Sequence, residues 1–310
     1  PRRLMLAAFF WGAGVAAVAA ALASVALDNV WQLWLDPRAA DLLSSVVAAP
    51  ILEEALKALF LLILLWRRRH HLGGVVDGIV YAGLVAVGFA FTENVLYLGH
   101  AFGAEGISGG LHLFILRCVF SPFAHPLFTA MTGLGIGLAA RRPRGAVTVV
   151  APVAGYVVAV VLHASWNGSS LLHDGSGFTA VYLLVMLPLL GALMVVVVLG
   201  RQREQTMLAR QLPGIVAGGW IAPDELGAFA TLSARRRWRR AARRNAGRSS
   251  ARAVRRYQGA VSALAFLRDR MARGVARPDA AHWHAEAVAA VVARRAQALT
   301  AADPRADGAH

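Results

Sequence analysis

Long, uninterrupted runs of apolar residues fill the first two thirds of the chain. Six of them exceed the roughly 18 residues that a helix needs to cross the hydrocarbon core of a bilayer. They cover residues 4–27, 43–66, 74–99, 111–140, 146–172 and 178–200. The pattern predicts an all-α protein, a polytopic transmembrane helix bundle of about six spans. The fourth run is long enough to tilt, or to begin with a turn near Ser121-Pro122.

Composition excludes a water-soluble globular domain. Hydrophobic residues make up 57% of the 310 residues, and the mean hydropathy is +0.54. A soluble domain of this size would need a much more polar surface. Cys118 is the single cysteine, so an intramolecular disulfide and a cysteine-based metal site are excluded too.

Arginines are distributed unevenly, and their distribution predicts the topology. The loops at 67–69 and 141–144 are rich in arginine, and residues 201–310 contain 21 Arg, no Lys and 8 acidic residues. Because cytoplasmic loops carry the excess of basic residues, we predict a multi-pass protein of the cell membrane with both termini in the cytoplasm. Its membrane domain would cover residues 1–200, followed by an Arg-rich cytoplasmic helical tail over residues 201–310.

Within the tail, Pro213-Gly214 and Gly218-Gly219 are typical helix breakers, and helices are predicted at 251–273 and 279–300. The run from Arg235 to Arg240 begins about 35 residues after the last span. At that distance from a membrane, attraction to anionic lipid is a simpler interpretation than nucleic-acid binding. We therefore expect an anionic lipid partner and no nucleic acid.

Ionisable residues inside the apolar runs are the main sign of function, because each costs about 2.5–3.5 kcal/mol at the centre of the bilayer. Span two contains Glu53 and Glu54, with Lys57 three and four residues further on the same helix face. A structural ion pair with Lys57 needs only one carboxylate, so the second indicates a functional site.

Spans three to five contribute further polar residues, namely Glu93, Asn94 and Tyr97, then His125, then His163 and Asn167. The depth of each residue in the bilayer tests whether these side chains can lie close together. Counted inward from the outer span ends at about 1.5 Å per residue, Glu54 lies roughly 16 Å deep, Glu93 roughly 9 Å, His125 roughly 21 Å and His163 roughly 14 Å. These depths overlap, so one cavity open to the extracytoplasmic side can gather all four. Asp77 lies near the cytoplasmic end of span three, where an N-cap, an interfacial role and a catalytic role are all open.

Two chemistries use such a set. A glutamate can act as general base on water while another polar group stabilises the oxyanion. Alternatively Glu93, His125 and His163 can hold one divalent metal, zinc by donor type, with Glu53 or Glu54 as base. The H-E-x-x-H signature of soluble zinc proteases is absent, and no small-molecule cofactor is expected.

At these residues the chain resembles the PrsW family of intramembrane proteases, which is related to the CAAX-prenyl-protease-like membrane peptidases. The similarity covers residues 45–170 and rests on motifs in order: Glu53-Glu54-x-x-Lys57, Asp77-Gly78-x-x-Tyr81, the Phe89-x-x-x-Glu93-Asn94 segment, His125, and His163-x-x-x-Asn167.

The resemblance implies an intramembrane endopeptidase that cleaves a membrane-anchored protein, of the anti-sigma factor kind. It implies a water nucleophile activated by glutamate or by a metal. The implied catalytic residues are Glu53, Glu54, Glu93, His163 and Asn167, with Asn167 stabilising the oxyanion and with Lys57, Asn94, Asp77 and Tyr97 in support.

Two other functions would use the same residues. An ion- or proton-coupled transporter or channel also needs buried carboxylates, but the chain has no internal repeat and no helices broken at corresponding positions in two halves. A catalytically inactive membrane scaffold would have no need of a complete motif set. The endopeptidase is therefore the leading hypothesis.

Overall fold

The computed structural model describes residues 2–69, 72–143, 145–169, 176–274 and 279–300. These residues form helices and connecting turns, without a strand among them. The chain divides into two compact units, Pro1–Val198 and Leu199–His310. Arg144 of the predicted loop 141–144 and the end of predicted span five lie outside the described residues.

Six helices contain most of the described residues of the first unit. Their bounds are α1 at Arg2–Trp31, α2 at 37–67, α3 at 75–105, α4 at Ala124–Ala140, α5 at Val147–Ser169 and α6 at Ser176–Ala217, which continues into the second unit. A further stretch, residues 107–120, connects α3 to α4 and is here called the return segment.

Four helical stretches among the described residues are long and apolar enough to cross a membrane: α1, Val75–Ala140, α5 and α6. The prediction of an all-α membrane bundle is confirmed. The stretch Val75–Ala140 contains predicted spans three and four. Helix α2 is also long, but Glu53, Glu54 and Lys57 lower its hydropathy, so the number of six crossings stays a prediction.

The return segment corrects the predicted fourth span, which is not one helix over 111–140. Gly106 has a φ of 69°, a conformation that glycine adopts without strain, and the chain reverses there. The segment ends in a π-helical turn, Ile115–Phe120. Pro122 lacks a backbone N–H, and the helix is interrupted from Ser121 to Phe123 before α4 begins.

Glycines let the helices of the first unit approach backbone to backbone. A Cβ atom added to Gly78 of α3 would lie 2.1 Å from the carbonyl oxygen of Gly133 in α4. A Cβ atom added to Gly135 of α4 would lie 2.1 Å from the carbonyl oxygen of Ala151 in α5. Such contacts are possible only without side chains, which is how helices pack closely in lipid. They fix α3, α4 and α5 as one rigid group.

The second unit is helical as well. After the end of α6 it contains α7 at Leu226–Ala230, α8 at Leu232–Ala272 and α9 at Ala280–Thr300. Helix α8 bends at Gly247, where φ is 78°, into two arms. Gln258 donates to the carbonyl oxygen of Arg235 at 3.1 Å, and Arg235 donates to Ser262 at 2.9 Å. The arms are therefore an antiparallel hairpin.

A buried carboxylate ties the second unit together. Glu225 accepts hydrogen bonds from the hydroxyl of Tyr257 at 3.0 Å and from the guanidinium of Arg295 at 2.7 Å. Burial, together with the charge of Glu225, raises the pKa of the Tyr257 hydroxyl above its ordinary value. Tyr257 is therefore neutral and donates, and one carboxylate joins α8 to α9.

Of the breakers predicted in the tail, Gly218-Gly219 is confirmed as the end of α6, while Pro213-Gly214 is wrong. Helix α6 continues through Pro213 to Ala217. A proline removes one helical hydrogen bond, and burial of Leu212 and Ile215 in the core of the unit offsets that loss.

The glycine contacts lead to a prediction about stability. Gly78→Ala should lower the thermal stability of the purified protein by several degrees, because the new Cβ atom would meet the carbonyl oxygen of Gly133. Gly83→Ala is the matched control, since it lies on the same helix and a Cβ atom there has nothing within 4 Å. Equal melting temperatures for the two variants would contradict the close approach.

Candidate active site

Lys57 forms the centre of a buried polar cluster. Its ammonium group donates to Glu54 Oε1 at 2.9 Å, to Glu53 Oε2 at 3.3 Å and to His125 Nδ1 at 3.1 Å. It also lies 3.8 Å from the centre of the Phe89 ring. An ammonium has three N–H donors, so each of them has an acceptor. The side chain of Lys57 is fully buried.

Glu54 is saturated by partners from three helices. Besides Lys57 of its own helix, Thr129 of α4 donates to Oε2 at 2.8 Å, and Nδ1 of His163 in α5 lies 3.2 Å from Oε1. Its side chain is 0% exposed, whereas that of Glu53 is 11% exposed. The two adjacent carboxylates therefore differ: Glu54 is enclosed and Glu53 is accessible.

Glu93 lies on the other side of His125. Its Oε2 atom is 2.7 Å from Nε2 of His125 and 2.6 Å from a terminal guanidinium nitrogen of Arg117. The Nε atom of Arg117 donates to Asn94 at 2.7 Å, and its guanidinium lies 4.4 Å from the centre of the Tyr97 ring. Glu93, Asn94 and Tyr97 thus share one cation.

These contacts fix the tautomers of the two histidines. Lysine can only donate, so Nδ1 of His125 accepts from Lys57, and Nε2 carries the proton that points to Glu93. Nδ1 of His163 faces the carboxylate of Glu54, so it carries the proton and leaves the lone pair on Nε2. That atom lies 3.8 Å from Glu53 Oε2. Each histidine therefore has its own orienting carboxylate, a pattern common among metal-binding histidines.

A cavity of about 380 Å³ opens beside the cluster. Its wall includes Glu53, Glu93, Asn94, Tyr97, Arg117, His125 and Asn167, together with Ser121 and Pro122 at the break before α4. The amide of Asn167 donates to the carbonyl oxygen of Ser45 at 2.8 Å. The cavity brings a carboxylate, a histidine and an amide donor around one space that can hold water and a peptide bond.

Asp77 lies outside the cluster around Lys57. It belongs to the first turn of α3 and accepts from the backbone N–H of Gly73 at 2.6 Å. Glu93 follows 16 residues later on the same helix, which is about 24 Å along its axis. Of the interpretations left open by the sequence, the position favours a role at the helix terminus.

Three side chains offer ligand atoms for a metal ion within 4.8 Å of one another: Glu53, His125 and His163. Two imidazoles and one carboxylate are a donor set that suits zinc and leaves a position for water, so these residues fit a divalent ion. The predicted set contained Glu93 in place of Glu53. Because Lys57 already donates to Glu53 and His125, an ion here would compete with the ammonium for the same lone pairs.

Sequence analysis missed Arg117 and Thr129. Arg117 is a cation inside the apolar run 111–140, and this was a usable signal, because arginine is costly there. Thr129 gives no such signal, since a threonine is common in transmembrane helices.

Comparison with known proteins identifies the family of the chain. The family model described as PrsW family intramembrane metalloprotease matches residues 1–194, nearly the whole first unit. The chain belongs to this family. Of the motif residues on which the resemblance rests, Glu53, Glu54, Lys57, His125 and His163 meet in the buried cluster.

Two curated relatives carry the name Protease PrsW. The protein of Oceanobacillus iheyensis is 41% identical over 63 residues, which are 20% of this chain and 26% of that protein. The protein of Clostridioides difficile is 36% identical over 89 residues, which are 29% of this chain and 35% of that protein. The chain thus aligns with about a third or less of each relative. No solved structure matches the chain.

The two possible ligand sets lead to a prediction about metal content. We expect purified protein to bind one divalent ion per chain, and Glu53→Gln and His163→Ala to lose it. Glu93→Gln should retain it, because Glu93 orients His125 from the side. Elemental analysis after dialysis measures the ion, and Glu105→Gln, an exposed carboxylate, is the control. Loss of the ion in Glu93→Gln with retention in Glu53→Gln would restore the set predicted from sequence.

Proposed function

We propose that the protein is an intramembrane endopeptidase that hydrolyses a peptide bond of a membrane-anchored protein with water activated at Glu53. The observation that carries this proposal is the difference between the adjacent glutamates. Glu53 is in the buried cluster and also in the cavity wall, where it can reach water, while Glu54 is enclosed.

In this proposal Glu53 holds the attacking water and accepts its proton. Glu54 contacts no substrate and positions His163, whose Nε2 atom faces Glu53. Lys57 balances part of the negative charge. Where a divalent ion is bound, Glu53, His125 and His163 would hold it, with zinc fitting best by donor type. The ion would then polarise the water and lower its pKa, and Glu53 would be a ligand in place of the base.

Asn167 is proposed to stabilise the oxyanion. Its side chain lies in the cavity wall, and its amide nitrogen is held by the carbonyl oxygen of Ser45. A carboxamide N–H is a suitable donor to the negative charge that develops on the carbonyl oxygen, and the cavity wall contains both Asn167 and Glu53.

The substrate is proposed to be a membrane-anchored protein, because the cavity lies in the membrane-spanning unit. By family resemblance an anti-sigma factor is the substrate class to test. The arginines at 67–69 and 141–142 and the basic second unit support an orientation with both termini in the cytoplasm.

The role of Glu53 can be tested directly. Glu53→Gln should lower the rate of proteolysis by roughly 10²–10⁴-fold, the usual contribution of a general base, with the protein still inserted in the membrane. The measurement compares fragments released from membrane proteins in cells that express wild type or Glu53→Gln. Glu105→Gln is the control and should release the wild-type set. An unchanged set of fragments in Glu53→Gln would overturn the assignment.

We propose further that the second unit binds anionic lipid through the two arms of α8. Nine exposed arginines follow helical spacing on these arms: Arg236, Arg237, Arg240, Arg243, Arg244, Arg248, Arg252, Arg255 and Arg256. No acidic residue occurs between residues 226 and 268. None of the nine pairs with a carboxylate within the part of the chain that the structure describes.

Pairs such as Arg248 with Arg252 repel each other at i,i+4 spacing, so the arms carry a cost that an anionic surface relieves. Lipid is favoured over nucleic acid for two reasons. The unit begins at Leu199 within α6, a helix that is long and apolar enough to cross a membrane. The aromatic rings of the hairpin, Trp238 and Tyr257, pack edge to face in the core of the unit and so are not available for bases.

Lipid binding should protect the arms from amide hydrogen exchange. In nanodiscs, residues 236–256 should exchange more slowly when phosphatidylglycerol is added to phosphatidylcholine, and salt should reverse the effect. Arg252→Glu should weaken the protection. Arg294→Glu, an exposed arginine of α9, changes the charge equally and should retain it. Protection by an RNA oligonucleotide and none by phosphatidylglycerol would contradict the proposal.

A further inference from the structure

Arg117 connects the return segment to α3. Its guanidinium donates to Glu93 at 2.6 Å and to Asn94 at 2.7 Å and lies on the ring of Tyr97. These three partners occupy adjacent turns of one helix face. The return segment itself contributes little buried surface, and no residue of its turn Ile115–Phe120 is buried. Placing the Arg117 cation here therefore costs free energy, and packing alone does not explain why it is present.

The contact of Arg117 continues into the cluster through a single oxygen. Oε2 of Glu93, which accepts from Arg117, also lies 2.7 Å from Nε2 of His125. The opposite ring atom of His125, Nδ1, accepts from Lys57 at 3.1 Å. Arg117, Glu93, His125 and Lys57 thus form one row of hydrogen bonds from the cavity wall to the two adjacent glutamates.

We propose that Arg117 is a positioning residue that holds the Glu93 carboxylate in place and thereby fixes the ring and tautomer of His125. With both Arg117 bonds present, the carboxylate is an acceptor at a fixed position, so His125 must place its proton on Nε2 and turn Nδ1 toward Lys57. Without Arg117, the carboxylate loses its cation, rotates, and no longer selects one tautomer. The inference rests on the proposed peptidase function.

Charge supports this role over substrate binding. The cluster holds three carboxylates, and among the residues that the structure describes the lysine and arginine side chains that contact them are Lys57 and Arg117. The Nε edge of the guanidinium faces Glu93 and Asn94, so the donors on that edge are already used within the protein. An arginine used to recognise a substrate carboxylate would need a charge that Glu93 does not already offset.

A double-mutant cycle tests the inference. Arg117→Met should lower kcat by about 10–100-fold, the usual effect of losing an outer partner of a site histidine, with KM changed less than about threefold. In a Glu93→Gln background, Arg117→Met should cause no further loss, because both changes remove the same interaction. Arg117→Lys should restore part of kcat, since it keeps one donor to Glu93 and loses the fork. Arg38→Met, an exposed arginine, is the control.

A raised KM with kcat unchanged would overturn the inference in favour of substrate binding, and losses that multiply in the Glu93→Gln background would show an independent role. A second measurement needs no activity. The ¹⁵N chemical shifts of histidine-labelled protein, assigned with His125→Gln, should show His125 protonated on Nε2 in wild type and a mixture in Arg117→Met. A wild-type His125 protonated on Nδ1 would refute the inference, even if Glu53→Gln confirms the peptidase.

Discussion

The hydrogen bonding of Lys57 is the interaction on which the rest of the membrane unit depends. Two adjacent carboxylates on one buried helix face repel each other and resist removal from water. A single ammonium between them, with a histidine on its third donor, compensates this charge without a solvent contact. Helix α4 supplies His125 as an acceptor for that ammonium and Thr129 as a donor to Glu54, and α5 supplies His163 as a second donor to Glu54, so these contacts determine where α4 and α5 lie.

The glycine contacts make this register possible. Thr129 and His163 reach Glu54 only because α4 and α5 approach closely, with Gly135 against the backbone of α5. A larger residue would separate the helices by more than a hydrogen bond can tolerate. The polar cluster and the small residues therefore act together. Glycine sets the separation between the helices, and burial of the charges disfavours any other arrangement.

The sequence predicted the class of fold and most of the residues that meet. Apolar runs give helices directly, and an ionisable residue in such a run is conspicuous, as with Glu53, Glu54, Glu93 and His163. Distances between helices cannot be obtained in this way. Depth estimates placed His125 deepest, but they could not show which carboxylate it faces. Glu93 contacts His125 and Arg117 in the structure, and its role as a metal ligand stays a prediction.

Local breaks were harder to predict than spans. Ser121-Pro122 marked a turn in the sequence, and the structure has one, but the reversal at Gly106 that creates the return segment was not predicted. A lone glycine in an apolar run is usually a packing residue, and its positive φ is a property of the fold. The catalytic identity of each residue stays a prediction.

The order of the chain gives the Lys57 cluster a consequence for biogenesis. Glu53 and Glu54 emerge from the ribosome well before their later partners, since Thr129 follows Glu54 by 75 residues and His163 by 109. During that interval Lys57 is their counter-charge on the same helix. Helix α2 is therefore inserted as a segment of marginal hydrophobicity. Its final position in the bilayer depends on helices that are synthesised later.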